Sequence, residues 1–328
     1  MKLFDPGDYW NSGFRIPDNI ELNWNYCDNT AFYPVAIGNF LNQIKINNHN
    51  EVVVLWAAPN RLTLYPECVQ AIESFSSKIQ NTVVLFDGNY NNTLTPENFR
   101  YAQIPYFEHV ARSTWPQTEL NWTKKHTFMM VGTKDYPTRK FVLSRIVEQG
   151  VDSGALISYK QVNSNDINLS NYTQDQIDYI VDVADRVNAR LPWPPLDDSI
   201  EFAQMSREVL LNTYINLITD TFFEGDVFVS EKVYTAIAHG QIFVMLAPAG
   251  TLRYLRGQGY RTFGDYIDES YDDVACNFTR LKLVTDLIIK LARADLNKLL
   301  IACQEIVLHN YKHFYCRNVN SQFIKWLT

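Results

Sequence analysis

The chain has 328 residues, room for about two domains with sizeable cores. Its 29 basic and 36 acidic residues give a net charge of −7, which argues against a surface given over to nucleic acid, because neutralising phosphates needs clustered Lys and Arg. Apolar residues make up 46% and charged residues 20%, the balance of a globular enzyme, and no apolar run reaches the length of about 18 residues that spans a membrane.

The first 30 residues, rich in Asn, Asp and Pro, read as a loop-like lead-in. Residues 1–10 are polar and acidic and lack the basic start and apolar run of a signal peptide. The Glu51-Val-Val-Val-Leu-Trp-Ala57 run predicts a buried strand. Residues 66–78 place Val69, Ile72 and Phe75 on one helical face. A second buried strand over 82–86 ends at Asp87-Gly88, and the apolar stretch 101–107 predicts a third. Strand, helix, strand in this order implies a parallel sheet. The polar stretch 115–125 marks a boundary near residue 120.

Beyond it, 126–131 predicts a strand. Tyr136-Pro-Thr-Arg139 opens a helix running to about Glu148, with Pro137 suited to a first turn. Residues 174–188 form an amphipathic helix, and Leu191-Pro-Trp-Pro-Pro195 a rigid extended loop. After a strand over 214–219, Ser230 caps a helix that begins at Glu231 and stops at Gly240. A strand over 241–247, a turn at Pro248-Ala-Gly250 and a short helix over 251–256 follow, broken by Gly257-Gln-Gly259. Residues 281–310 are mostly helical and 314–327 form a last helix. The alternation predicts an α/β protein of two Rossmann-like domains, 1–120 and 121–300, facing an inter-domain cleft, with 301–328 crossing back to the first. Ligands of such sheets sit beyond the carboxyl ends of the strands.

Ser230-Glu231-Lys232 is the first candidate site. A helix N-terminus attracts anions, Lys232 adds a full charge, and Glu231 can accept hydrogen bonds from a ribose diol. The same three residues also describe a capped surface helix with a Glu–Lys pair. Arg139, in a first helical turn after a strand, can bind a pyrophosphate bidentately or sit on a solvated face. The five cysteines (Cys27, Cys68, Cys276, Cys303, Cys316) form no Cys-x-x-Cys, so no zinc site or disulfide framework is indicated, and a reducing cytoplasm is the expected setting. The histidines show no metal spacing with Cys, and His309 and His313, four apart, read as structural. No Gly-x-Gly-x-x-Gly, Walker sequence or Gly-x-Ser-x-Gly is present.

Phe228-Val-Ser-Glu-Lys-Val-Tyr-Thr-Ala-Ile-Ala-His-Gly-Gln-Ile-Phe-Val244 resembles the donor-binding block of α1,3-fucosyltransferases. Residues 128–143 with Arg139 are similar to that family's strand, loop and phosphate-binding Arg. Thr219-Asp220 stands where the family has Glu-Asn. Leu85-Phe86-Asp87 and the stretch from Arg100 to Tyr106 resemble N-terminal segments of the family. The resemblance implies a GT-B fold and an inverting glycosyltransferase that takes a nucleotide diphosphate sugar, GDP-linked by analogy, with no further cofactor and no metal. By carry-over, Arg139 and Lys232 hold the diphosphate and Glu231 the ribose. Asp220, Phe228 and Ser230 complete the donor site, Phe228 in place of a Tyr. The family's Glu after its first long strand is replaced here by Ala57-Ala58-Pro59-Asn60, so Asp87 is the expected base, with Glu67 and Glu108 as weaker alternatives.

Residues 250–273 are similar to C-terminal segments of phage and giant-virus glycosyltransferase-like proteins, which suggests a bacterial cell or a virus-infected host. In this stretch Arg253 and Arg256 can neutralise donor phosphate or face solvent, and Asp268-Glu269 reads as a helix-start charge pair rather than a metal site. The acceptor expected first is a glycan. The alternative, hydroxymethylated cytosine in phage DNA, needs a basic cleft, for which Lys124, Lys125, Arg139 and Lys140 are the candidates, with Trp115, Trp122 and Tyr136 to hold an extruded base. A third reading is a non-catalytic nucleotide-sugar-binding module.

Overall fold

Runs of β-branched and aromatic residues become the strands of two parallel sheets. The computed structural model describes residues 21–26, 39, 41–45, 51–57, 66–78, 83–87, 100–103, 106–132, 136–159, 172–187, 206–220, 222–225 and 227–317. Contacts divide the chain into two units, one of Met1–Ser113 with Arg317–Thr328 and one of Thr114–Cys316.

The first unit holds β1 (Glu21–Tyr26), β2 (Glu51–Ala57), α1 (Pro66–Lys78), β3 (Val83–Asp87), β4 (Arg100–Gln103) and α2 (Tyr106–Thr114). Its strands lie in the order β1-β2-β3-β4, all parallel. Two expectations are corrected. The lead-in contains β1, whose Glu-Leu-Asn-Trp-Asn-Tyr sequence alternates polar and apolar at the period of a strand. The apolar stretch 101–107 is split, with β4 ending at Gln103 and α2 starting at Tyr106. In α2 the pair Glu108 and Arg112, four residues apart, fits a helix and not a strand. Glu67 is exposed in the first turn of α1.

Glu108 is fully buried. Arg112 and Arg317 both pair with it, Arg317 Nη1 at 2.9 Å, and Arg112 also donates to the Arg317 carbonyl at 2.6 Å. The return of the chain at Arg317 is thus fixed to α2 by a carboxylate that cannot stay buried alone.

The second unit holds β5 (His126–Gly132), α3 (Pro137–Glu148), β6 (Leu156–Tyr159), α4 (Gln174–Asp185), α5 (Arg207–Leu211), β7 (Thr213–Thr219), α6 (Glu231–Ala238), β8 (Ile242–Leu246), α7 (Thr251–Gly257), a 3₁₀ turn at Ser270–Asp273, α8 (Asn277–Ala292), α9 (Leu296–Ala302) and α10 (Gln304–Cys316). The strand order is β6-β5-β7-β8, all parallel. Every residue of β8 is buried, as are all but one of β7, the pattern of a parallel sheet covered on both faces. α3 packs against α4 and α8, α8 against β8, and α10 against α6. The sequence reading misses β6 and α5. It also runs α8 to α10 together, and Arg293 and Cys303 cap the first two of these helices. The expected last helix is described only to Cys316, and the rest of 314–327 after Arg317 lies outside the described residues, as does the Leu191–Pro195 loop.

The strand order reverses direction between β5 and β7. From β5 the chain steps out to β6, then returns past β5 to β7 and β8. The carboxyl ends of β5 and β7 therefore form a switch point, the place at which open parallel sheets bind ligands.

One measurement tests the Glu108 clamp. Glu108→Ala removes the buried carboxylate with which both Arg112 and Arg317 pair. Urea unfolding is expected to show a loss of about 3 kcal/mol, whereas Glu67→Ala changes stability by no more than about 0.5 kcal/mol.

Candidate functional site

Ser230 ends an extended segment with φ −88° and ψ 178°, and its Oγ accepts from the Lys232 backbone N–H at 3.4 Å. This is the N-cap geometry that the Ser-Glu-Lys sequence predicts. At the other end of α6, Gly240 has a φ of +61°, which favours glycine and stops the helix. A Cβ there would lie 3.1 Å from Leu120, so the close approach also favours glycine. Trp115 donates through Nε1 to Thr235 Oγ1 at 3.0 Å, and Thr235 Oγ1 donates to the Glu231 carbonyl at 3.0 Å. The segment after the unit boundary is thereby bonded to the body of α6.

The N-terminus of α6 lies at the reversal point. Asp220 follows β7 directly, and its N–H donates to the Leu246 carbonyl at 3.1 Å. Its side chain is wholly buried. Oδ2 accepts the Ser230 N–H at 3.4 Å, and Oδ1 lies 3.9 Å from Lys232 Nζ. Burial raises the Asp220 carboxyl above the usual carboxylate range, with Lys232 opposing. Lys232 Nζ also donates to Ser230 Oγ and Glu231 Oε1, both at 3.3 Å. The Lys232 and Glu231 side chains keep 16% and 24% of their exposure, so this pair is where solvent reaches the cluster.

Arg139 joins the same cluster from the first turn of α3, but it is only 4% exposed. Its Nη2 donates to the carbonyls of Thr219 at 2.9 Å and Asp220 at 2.8 Å, and its guanidinium lies 4.6 Å over the Tyr136 ring. The structure thus gives Arg139 a bracing task between the first turn of α3 and the end of β7. Of the two expected placements, the solvated face is not the one found. Phe228 is buried as well, its ring edge-on to Phe222 at 5.2 Å. Asp87 is the last residue of β3 and pairs in register with Ala57 and Gln103, and its side chain is not among those described. Pro59 and Asn60 lie outside the described residues. Glu108, held by two arginines, is not placed to act as a base.

Two residues that build this edge escape sequence reasoning. Arg280, in the first turns of α8 and 2% exposed, donates to the carbonyls of Ala247 (3.1 Å), Phe223 (2.7 Å) and Val274 (2.7 Å). It ties the end of β8 to the loop that leads toward α6. Asp272 is buried, and its two oxygens accept the N–H groups of Leu252 and Arg253, both at 2.9 Å. It fills the N-terminus of α7 with an internal anion across twenty residues of sequence, beyond the reach of any local motif.

The remaining candidates resolve into scaffold. Arg253 pairs with Asp273 at 2.9 Å, and Arg256 lies 3.5 Å from Glu269 and 3.7 Å from Asp272. Glu269 accepts the Phe263 N–H, and Asp268 the Ser270 N–H. The Nε2 atoms of His309 and His313 sit 2.9 Å from the carbonyls of Gly259 and Gln258, which close the turn after α7. Among the described residues no group of three or more His, Cys, Asp or Glu could hold a metal ion. No helix among them is long and apolar enough to cross a membrane. A cavity of about 400 Å³ is lined by Arg145, Gln149, Asp286, Ile289, Lys290 and Arg293. It lies by the C-terminal ends of α3 and α8, where basic side chains ordinarily face helix carbonyls, and it contains none of the site residues.

No family model matches the chain, and no curated protein matches it. Solved structures resemble it in layout. The OtsA apo structure does so with a TM-score of 0.48 at 12% identity, over 95% of this chain and 73% of that one. A UDP-forming α,α-trehalose-phosphate synthase from Burkholderia xenovorans gives 0.46 at 10% identity, over 93% and 73%. The DNA-modifying enzyme β-glucosyltransferase gives 0.43 at 12% identity, over 93% and 78%.

The foot of α6 carries a pH prediction. His239 is 1% exposed, its Nδ1 lies 2.8 Å from the Thr235 carbonyl, and its ring meets Trp115 edge-on. A carbonyl only accepts, so this nitrogen carries the proton of a neutral ring. Burial lowers the imidazole to about 4. Between about 4 and about 6.5 the unfolded chain therefore binds a proton that the folded chain refuses, and stability rises with pH across that window. Acidification from pH 6.5 to 4 is expected to cost about 3 kcal/mol through this residue. Urea midpoints measured against pH should lose that part of their slope in His239→Phe.

Proposed function

We propose that the chain is a glycosyltransferase that moves a sugar from a nucleotide diphosphate donor to an acceptor hydroxyl, with the diphosphate at the N-terminus of α6. One observation carries the reading. Lys232, the α6 N-terminus, Asp220 and Arg139 converge beyond the carboxyl ends of β5 and β7, where the strand order reverses. Open parallel sheets bind ligands at such a point. The positive end of the α6 dipole and a partly exposed ammonium there suit phosphate oxygens and the charge that develops on a departing diphosphate. Glu231 is the residue for the ribose diol. Arg139 acts from beneath as a brace, since reaching a phosphate would cost it its two carbonyl acceptors.

The likeness to α1,3-fucosyltransferases makes a GDP-linked sugar and inversion at the anomeric carbon the first reading of the chemistry. Asp87 is the proposed base. Ala57, the register partner of Asp87 on β2, falls where the family's Glu would be expected, so the carboxylate moves over by one strand. It would take the acceptor hydroxyl proton as the sugar is transferred. A glycan acceptor is favoured over DNA. Of the basic and aromatic residues a DNA acceptor would use, Lys124, Arg139 and Trp115 are buried. Lys124 donates to the carbonyls of Leu211 and His239 instead.

Calorimetry with GDP, UDP and CDP tests the site. Lys232→Ala is expected to weaken nucleotide binding by about 1.5–3 kcal/mol, roughly ten- to a hundredfold. Asp87→Asn should leave binding intact and abolish transfer to an oligosaccharide panel. Equal affinity of Lys232→Ala and parent would place the nucleotide elsewhere. Unaltered donor after prolonged incubation of the parent with those acceptors would leave a binding module.

A further inference from the structure

We propose that a phosphate group bound at Lys232 is accompanied by uptake of a proton on the carboxyl group of Asp220. This rests on the reading of the α6 N-terminus as the diphosphate site, and adds a charge-compensating role for the residue beneath it. Asp220 is a positioning residue here. Its Oδ2 holds the Ser230 N–H, its Oδ1 lies 3.9 Å from Lys232 Nζ, and its side chain has no exposure to water.

The groups that face this carboxyl come from three elements. From α6 come Glu231 and Lys232. From α3 comes Arg139, which reaches the Asp220 carbonyl. Behind Arg139 lie the phenols of Tyr136, before α3, and Tyr159, at the end of β6. Among the described residues the cluster thus includes the carboxylates of Asp220 and Glu231 and the cations Lys232 and Arg139. One of the cations, Arg139, is turned toward main-chain carbonyls. An anion that enters at Lys232 shares that ammonium with Asp220.

An incoming diphosphate adds negative charge on the same ammonium that now balances Asp220, and one of the three acidic groups has to give way. Glu231 keeps contact with solvent, which can screen it. Asp220 has none, and a buried carboxylate that loses its counter-charge is the least stable ion of the set. Burial already raises it above the usual carboxylate range, and Lys232 is the first opposing influence. Engaging Lys232 with phosphate weakens that opposition. The step is a simple protonation, in which a solvent proton adds to a carboxylate oxygen and no other bond changes. The neutral carboxyl still accepts the Ser230 N–H, so the cap of α6 survives it.

The test is nucleotide binding measured by calorimetry at pH 8 in several buffers of different ionisation enthalpy. GDP and UDP are the probes. Their terminal phosphates, with a second ionisation near pH 6, are already fully charged at pH 8. The expected result is a heat that varies linearly with buffer ionisation enthalpy, with a slope of about half to one proton taken up per nucleotide. Parent affinity should fall by up to about tenfold per pH unit above that. Asp220→Asn, which keeps an acceptor for Ser230, should bind with no proton uptake and little pH dependence. Buffer-independent heat in the parent, with binding still lost in Lys232→Ala, overturns the coupling and leaves the site standing. Uptake that persists in Asp220→Asn also overturns it. Absence of any Lys232-dependent nucleotide binding overturns the site and the coupling together.

Discussion

A buried guanidinium must have acceptors, and at the switch point of the second sheet it finds them in the chain's own strand ends. Arg139 draws the carbonyls of Thr219 and Asp220 toward the first turn of α3. Thr219 Oγ1 donates to the Val131 carbonyl at 3.1 Å, so β5 and β7 are closed against each other at the same level. With its main chain fixed, Asp220 presents its carboxylate to the Ser230 N–H, and Ser230 starts α6. The position of Lys232 follows from this sequence of contacts. Arg280 repeats the device one strand over, holding Ala247 and Phe223 from α8. Two arginines with almost no exposure thus define an edge at which a third cation, Lys232, keeps access to solvent.

What was legible in the sequence was local. Ser230 as a cap, Gly240 as a stop and the largely apolar runs of β2, β5, β7 and β8 depend on neighbours within a few residues, and the structure has each of them. β1 was hidden because Asn and Asp in the lead-in outweighed its alternation, although Leu22, Trp24 and Tyr26 sit at strand spacing. The start of α2, Tyr106 and Phe107, reads as a continuation of the β4 strand because a short apolar run fits either period. Its Glu108–Arg112 spacing was the signal that could have decided.

The site was legible in membership more than in role. Glu231 and Lys232 could be picked out because a helix start is a local event. Arg139 could be placed near them, but the destination of its charge lay 80 residues away, on Thr219. Asp272 and Arg280 gave no signal, since capping another helix or clasping strand-end carbonyls leaves no spacing to read. The same reasoning dissolves the apparent basic patch. Lys124 and Lys125 are adjacent in sequence, yet one is buried on main-chain carbonyls and the other is exposed.

That difference bears on the acceptor of the proposed transfer. Binding to duplex DNA draws much of its free energy from released counterions, in proportion to the cations that reach phosphates. A cation already bonded to main-chain carbonyls cannot release them, and burial lowers the Lys124 amine to about 8, the opposite of what a phosphate contact would do. An extruded base likewise needs an aromatic face that is open. Trp115 is buried, with its ring at right angles to that of His239 and its indole N–H on Thr235. These groups serve to hold the foot of α6, while the access to solvent lies at its head, around Glu231 and Lys232. A sugar acceptor asks for hydroxyl-binding polar groups and no field of cations, which suits a chain with a net charge of −7.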